Sequence, residues 1–406
     1  MLQNVPNKFV TTMCPVCGGH VAVSLFDAGR KPLATLAWPT SRNQAKELPT
    51  YPLNFVQCPR CTHIWNYKFC YEDIPYRDNP NRMFNLGGNW DSHLKTTTES
   101  LLDKLPANPV VIDVGCGDGN FLGYLEKIAP GGNYIGFDPN GADKDIGNVH
   151  FEQRLLKPFD DLQEIRPDAI TIRHVLEHLT EPSLFLEELK WAASSLDKDC
   201  ILFVEVPCVD KVLRYVRLAD FYYEHVSNFT THSFRAILER AGELETLEHG
   251  YGAEVAYGTV RLGVSDSQKE NADTARTFRE RTETAVSVVA KQISELCSQG
   301  LKIAVWGGTG KGAAFMQHYG LEAGDVPLVV DSDIDKVGTY VPGLGQKIRY
   351  RDVLLEGTVD VILIPTQWRA KDIVKEIDSL GIRCSRILIE HNGRLVDYFE
   401  NKHPYV

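Results

Sequence analysis

Val110-Val-Ile-Asp-Val-Gly-Cys-Gly-Asp-Gly119 runs directly into Asn120-Phe-Leu-Gly-Tyr-Leu-Glu-Lys127. An apolar, β-branched strand ends on an acidic residue and a glycine-rich turn, and an amphipathic helix follows. Backbone N–H groups at such a helix start, at the carboxyl end of a parallel strand, receive a nucleotide-like ligand. Glycine lets the backbone approach that ligand where a Cβ would stand in the way. The spacing, Asp-x-Gly-x-Gly-x-Gly, is not the dinucleotide fingerprint Gly-x-Gly-x-x-Gly.

Outward from this turn the pattern alternates strand and helix. Strands are expected at Val110–Val114, Tyr134–Phe137, Ala169–Ile172 and Ile201–Val206, with helices between them at Phe121–Ile128 and Ser183–Leu196. This is the signature of a doubly wound α/β sheet. Residues 266–299 are polar, proline-free and helix-favouring, with apolar positions at Ala285, Val288, Val289, Ile293 and Leu296, and Gly300 ends the run. One long connecting helix follows from that spacing. A second α/β unit begins with the strand Leu301–Trp306 and the turn Gly307-Gly-Thr-Gly-Lys-Gly312 into a helix, Ala313–Tyr319. Its later strands are Pro327–Val330, Val359–Ile364 and Arg386–Glu390. The expected organisation is a cysteine-rich domain (1–72), an α/β domain (73–265), a connecting helix (266–300) and a C-terminal α/β domain (301–406).

A chain of 406 residues has room for about two or three domains. Its 43% hydrophobic and 24% charged residues are ordinary for a globular protein. A net charge of −11 argues against a nucleic-acid or anionic-membrane partner. No apolar run is long enough to span a bilayer, and the N-terminus lacks the apolar core of a secretion signal. The expected location is cytoplasmic, where cysteines stay reduced and clustered ones read as metal ligands. Cys14-Pro-Val-Cys17 and Cys58-Pro-Arg-Cys61 supply four thiolates in two knuckles. They are expected to close a tetrahedral, structural Zn²⁺ site with no open position for catalysis.

The glycine turn resembles motif I of class I S-adenosylmethionine (SAM) methyltransferases. The resemblance implies that Asp113, Gly115 and Gly117 meet the methionine part of SAM, with Cys116 in the same cofactor-binding turn as a packing side chain. Asp138, 25 residues after Asp113, stands where an acid binds the ribose hydroxyls. After the strand 169–172 comes Arg173-His-Val-Leu-Glu-His178. Here His174 is a SAM neighbour and His178 an active-site group; the alternative is that Glu177 and His178 only cap and solvate a helix start. Asp220-Phe-Tyr-Tyr-Glu-His225 gathers two phenols, a carboxylate and an imidazole, and its alternative is an aromatic loop packed on the sheet. Gly307–Gly312 with Lys311 suits a phosphate but is not a P-loop, because glycine follows the lysine. Asp331-Ser-Asp333 either binds ribose or caps a turn.

Together these segments resemble, over essentially the full length, the three-domain SAM-dependent sugar C-methyltransferases: a zinc-binding N-terminal domain, a class I Rossmann-like methyltransferase domain and a Rossmann-like C-terminal domain. The C-terminal resemblance rests on Gly307–Gly312 and on Val330-Asp-Ser-Asp-Ile-Asp-Lys-Val-Gly-Thr-Tyr-Val-Pro-Gly343. It implies deoxysugar biosynthesis, with methylation of a carbon beside the ketone of a nucleotide-linked keto sugar. By the same resemblance Glu224-His225 is the active-site pair, Tyr222 and Tyr76 are active-site tyrosines, and His178 is a further histidine. His225 would be the base, Glu224 its orienting group, and Tyr222 or Tyr76 the donor to the enolate oxygen. Lys311 and Asp331 would contact the acceptor. Residues 76–85 and His174-Val-Leu-Glu-His178 depart from the sugar enzymes' pattern. Two rivals remain: O- or N-methylation of another sugar or small metabolite on the same fold, and a non-catalytic SAM-binding scaffold.

Overall fold

The computed structural model describes residues 8–74, 87–141, 145–357 and 359–406. Contacts divide the chain into two compact units, Met1–Ser265 and Asp266–Val406.

In the first unit the N-terminal strands are β1 (Phe9–Thr11), β2 (Val21–Lys31), β3 (Tyr51–Gln57) and β4 (Ile64–Asn66). The α/β strands follow: β5 (Val110–Val114), β6 (Asn133–Phe137), β7 (Val149–Glu152), β8 (Ala169–Arg173) and β9 (Ile201–Pro207). Last come the short β10 (Ser227–Asn228) and the hairpin β11 (Gly242–Gly250) and β12 (Val255–Leu262). The main sheet has the order β11-β12-β9-β8-β5-β6-β7. It is parallel except at β12, which runs antiparallel to both neighbours. Chain order reverses between β5 and β8, and ligands of open α/β sheets bind beyond the strand ends at such a reversal. The apolar β5 is buried between helices on both faces, as a central parallel strand must be.

The cysteine-rich segment does not stand apart from the α/β domain. β10, from the loop after β9, extends the N-terminal sheet by pairing with β4. Cys14, Val16 and Trp65 share one core with Leu186, Phe229 and Phe234. Thr62 and Thr230 hydroxyls join across 2.6 Å.

The second unit has six strands: β13 (Ile303–Trp306), β14 (Leu328–Asp331), β15 (Ile348–Tyr350), β16 (Val361–Leu363), β17 (Arg386–His391) and β18 (Arg394–Asp397). Their order is β15-β14-β13-β16-β17-β18, parallel but for the terminal hairpin. The helix Asp266–Ser298 is more than the connector its sequence leads one to expect. Val289, Ile293 and Leu296 lie in the core of the second unit with Ile303, Val305 and Met316. Each such buried side chain contributes about 1.5–3 kcal/mol. The first half of the helix is polar and exposed.

Candidate functional site

The four cysteine sulfurs lie within 4.8 Å of one another, with Cys14–Cys61 and Cys17–Cys58 at 3.6 Å. Zn–S bonds of about 2.3 Å in a tetrahedron put sulfurs about 3.8 Å apart, so this donor set fits the ion. Each knuckle turns back on its first cysteine: Gly18 N–H donates to the Cys14 carbonyl and Thr62 N–H to that of Cys58. Both turns close on a left-handed residue, Gly18 (φ 70°) and Thr62 (φ 59°). A hydrogen bond with Cys61 holds the Cys14 thiol down at about 6, so one thiolate is already favoured.

At the β5 turn Gly115, Gly117 and Gly119 all have positive φ, for different physical reasons. A Cβ at Gly115 would meet Val175 Cγ2 at 2.4 Å, and one at Gly119 would meet the Phe151 ring at 2.3 Å. At Gly117 a Cβ would meet nothing within 4 Å, so only this glycine faces open space. Asp138, just past β6, accepts the Gly117 N–H at 3.0 Å and the Asn140 N–H at 2.7 Å. Asp113 is 4% exposed and accepts from Thr171 Oγ1 at 2.6 Å; burial pushes its carboxyl up to about 7. The Cys116 side chain is buried against Gly136, where a Cβ would come within 2.6 Å of its sulfur. A turn with an open glycine, flanked by two carboxylates, fits the adenosine and amino-acid parts of SAM.

Beside this turn lies a charged cluster that the motif reading misses. Glu205, fully buried in β9, accepts from Arg173 (3.0 Å) and binds His174 Nε2 (3.0 Å) and His93 Nε2 (2.6 Å). Arg173 stacks over Phe121 at 4.4 Å and Trp90 at 5.7 Å. His174 has φ 54°. Burial opposes its charge, but the Glu177 and Glu205 carboxylates outweigh burial and raise it to about 9. The legible signal was a lone carboxylate inside the apolar run Ile201-Leu-Phe-Val-Glu-Val-Pro207.

The residues expected on the acceptor side lie on two loops. The 3₁₀ turn Leu176–His178 follows β8, and residues 221–226 precede β10. Tyr222 OH lies 2.7 Å from His225 Nε2, and the rings stack with centroids 4.2 Å apart. The His178 and His225 rings meet edge to face at 4.9 Å. His178 Nδ1 lies 2.8 Å from the Glu224 carbonyl, which fixes its hydrogen on Nδ1. Burial, then the neighbouring His178, drives His225 down to about 3, so it is neutral at pH 7. Burial raises the Tyr222 phenol, which stays protonated.

Two sequence expectations need correction here. The Glu224 carboxylate does not meet His225 in hydrogen-bond contact. Its Oε1 accepts from Thr35 N (2.7 Å), Thr35 Oγ1 (3.1 Å) and Leu36 N (3.1 Å), tying the loop to the N-terminal segment. Glu177 is the carboxylate beside the histidines, within 4.8 Å of ring nitrogens of His178 and His225. At 2% exposed it does not solvate a helix start. Tyr76 lies outside the described residues.

In the second unit Lys311 opens the helix Lys311–His318 beyond β13. Asp331 ends β14, accepts the Asp333 N–H at 3.0 Å and sits 3.6 Å from Lys336, so it does cap a turn. Gly312 is required by close packing: a Cβ there would reach 1.9 Å from the Gly307 carbonyl oxygen.

The sheet order and the glycine turn at its reversal define a class I SAM-dependent methyltransferase. A methyltransferase-domain family model matches residues 89–246, and the model of the C-methyltransferase C-terminal domain matches residues 263–383. The chain is thus a SAM-dependent methyltransferase in which a methyltransferase domain is followed by a C-methyltransferase C-terminal domain. It is similar to the C-methyltransferase NovU of Streptomyces niveus, 22% identical over 358 residues, covering 81% of this chain and 83% of NovU. Among solved structures it resembles the plantazolicin methyltransferase BpumL in complex with SAH (15% identity, 47% of this chain, 87% of that one, TM-score 0.34). It also resembles a SAM-dependent methyltransferase from Aquifex aeolicus (20% identity, 48% of this chain, 100% of that one, TM-score 0.31). No helix among the described residues is long and apolar enough to cross a membrane.

Proposed function

We propose that the protein C-methylates a nucleotide-linked keto sugar, with His225 as the base that forms the enolate. The observation that carries this reading is the half-buried, neutral His225 held 2.7 Å from the Tyr222 hydroxyl, beside His178. A carbon acid next to a ketone needs a base and a donor for the developing oxyanion. The His225 tautomer with hydrogen on Nε2 supplies both. Nε2–H donates to the Tyr222 oxygen, Nδ1 becomes the basic nitrogen, and the phenol keeps its hydrogen for the enolate oxygen. Bound SAM supplies an electrophilic methyl group on sulfonium. Gly117, Asp138, Asp113 and His174 hold the cofactor, and the four cysteines hold a structural Zn²⁺ that fixes the N-terminal sheet.

The test is incubation with a nucleoside-diphosphate-linked 4-keto-6-deoxyhexose and methyl-labelled SAM in D₂O. Deuterium exchange at the α-carbon and a C-methyl product are expected. An O- or N-methyl product without exchange overturns the reading in favour of the rival acceptor chemistry.

A further inference from the structure

Glu177 has the environment least explained by packing. It is 2% exposed, and among the described residues neither carboxyl oxygen has a partner in hydrogen-bond geometry. An unpartnered buried polar group costs about 1–3 kcal/mol, and more when charged. The ion pair with His174 offsets part of that cost, and the cost that remains points to a role beyond packing. Its surroundings are cationic or able to become so. His174 Nδ1 is 3.5 Å away, an ion-pair contact without hydrogen-bond geometry. His178 and His225 offer ring nitrogens within 4.8 Å. Tyr222 reaches the same cluster through His225, and the Glu224 carbonyl through His178. Arg173 lies behind His174 and is already matched by Glu205.

We propose that Glu177 is the positioning residue of this site: its carboxylate orients the His178–His225 pair and is the counter-charge when a proton moves from the acceptor carbon to His225. This deepens the enolate reading above and rests on it. In the resting site the half-buried His225 is driven far below the ordinary imidazole value, chiefly by desolvation. A base so weak gains from an anion close enough to favour its charged form. Glu177 is itself held below the usual carboxylate range, since the histidines outweigh its burial. It therefore carries that charge at neutral pH. The proton balance is simple: the α C–H bond breaks, its electron pair becomes the enolate, and the proton stays on His225 as a new N–H until release to water.

The test compares wild type, Glu177→Gln and Glu177→Asp, with three readouts: α-proton exchange of the same keto sugar nucleotide in D₂O, SAH affinity by calorimetry, and metal content. Glu177→Gln is expected to slow exchange and kcat together by about 10–100-fold, with the acceptor KM within about threefold. SAH affinity should stay within a few-fold of wild type, and Glu177→Asp should recover part of the exchange rate. If wild type itself shows no exchange, the enolate reading fails. If wild type exchanges and Glu177→Gln exchanges equally fast, only the Glu177 proposal fails. Loss of a second bound metal equivalent in Glu177→Gln would also overturn it, since Glu177, His178 and His225 would then be ion ligands.

Discussion

Replacing Gly115 and Gly117 separately by alanine should split stability from cofactor binding, although the two residues lie two apart in one turn. Both have positive φ, 70° and 52°, so each alanine costs about 1–2 kcal/mol of left-handed strain. At Gly115 the new methyl also meets Val175 Cγ2 at 2.4 Å. Overpacking of that kind adds about 1–3 kcal/mol, for a total of about 2–5 kcal/mol. At Gly117 no atom lies within 4 Å, so the strain stands alone. In a unit of this size about 1 kcal/mol moves Tm by about 2–4 °C. Scanning calorimetry should rank Gly115→Ala well below Gly117→Ala. Titration calorimetry should show the Gly117→Ala methyl taking up the cofactor's space and weakening SAH by about tenfold or more, about 1.4 kcal/mol. If Gly117→Ala bound SAH like wild type, or if the two variants melted together, the assignment of packing to one glycine and ligand approach to the other would be refuted.

Chelation, or Cys61→Ser, should release one zinc per chain by elemental analysis; because β4 and β10 share a sheet, it should also lower Tm of the first unit rather than fray an isolated tail. His225→Asn should lower turnover by at least about 100-fold and leave SAH affinity within twofold; retained turnover would remove His225 as the base. His174 is raised from 6.5 to about 9 in the folded state, so its stabilisation is complete below pH 6.5 and lost as pH rises through 9. Asp113, raised to about 7, is only half ionised at pH 7, so its own loss overlaps the start of this decline, and comparison with Glu205→Gln isolates the His174 share. That decline is about 3 kcal/mol at most, and it should shrink in Glu205→Gln when urea unfolding is followed against pH.

Much of the architecture was legible because its signals are local. The expected strand Val110–Val114 coincides with β5, and the helix over 266–298 follows its apolar spacing. The β11–β12 hairpin escaped notice. β12 is set by pairing with β9, and β11 by pairing with β12 at the sheet edge, rather than by strong alternation of their own. Glu205 and Arg173 escaped because no motif marks them. Their importance comes from the ends of β8 and β9 meeting the helix that carries Trp90 and His93.

The sequence alone determined the donor turn and the four thiolates, since glycine spacing and Cys-x-x-Cys knuckles each act within a few consecutive residues. It also named the chemistry-bearing loop at residues 220–225. Only the tertiary structure decided which carboxylate serves which histidine. Glu224 is adjacent to His225 in the chain, yet it is drawn 189 residues back to Thr35. Glu177, 48 residues earlier than His225, takes the place beside it. Adjacent side chains in an irregular loop need not point the same way, so their partners are chosen by the elements packed around them, and that information is spread over the whole fold.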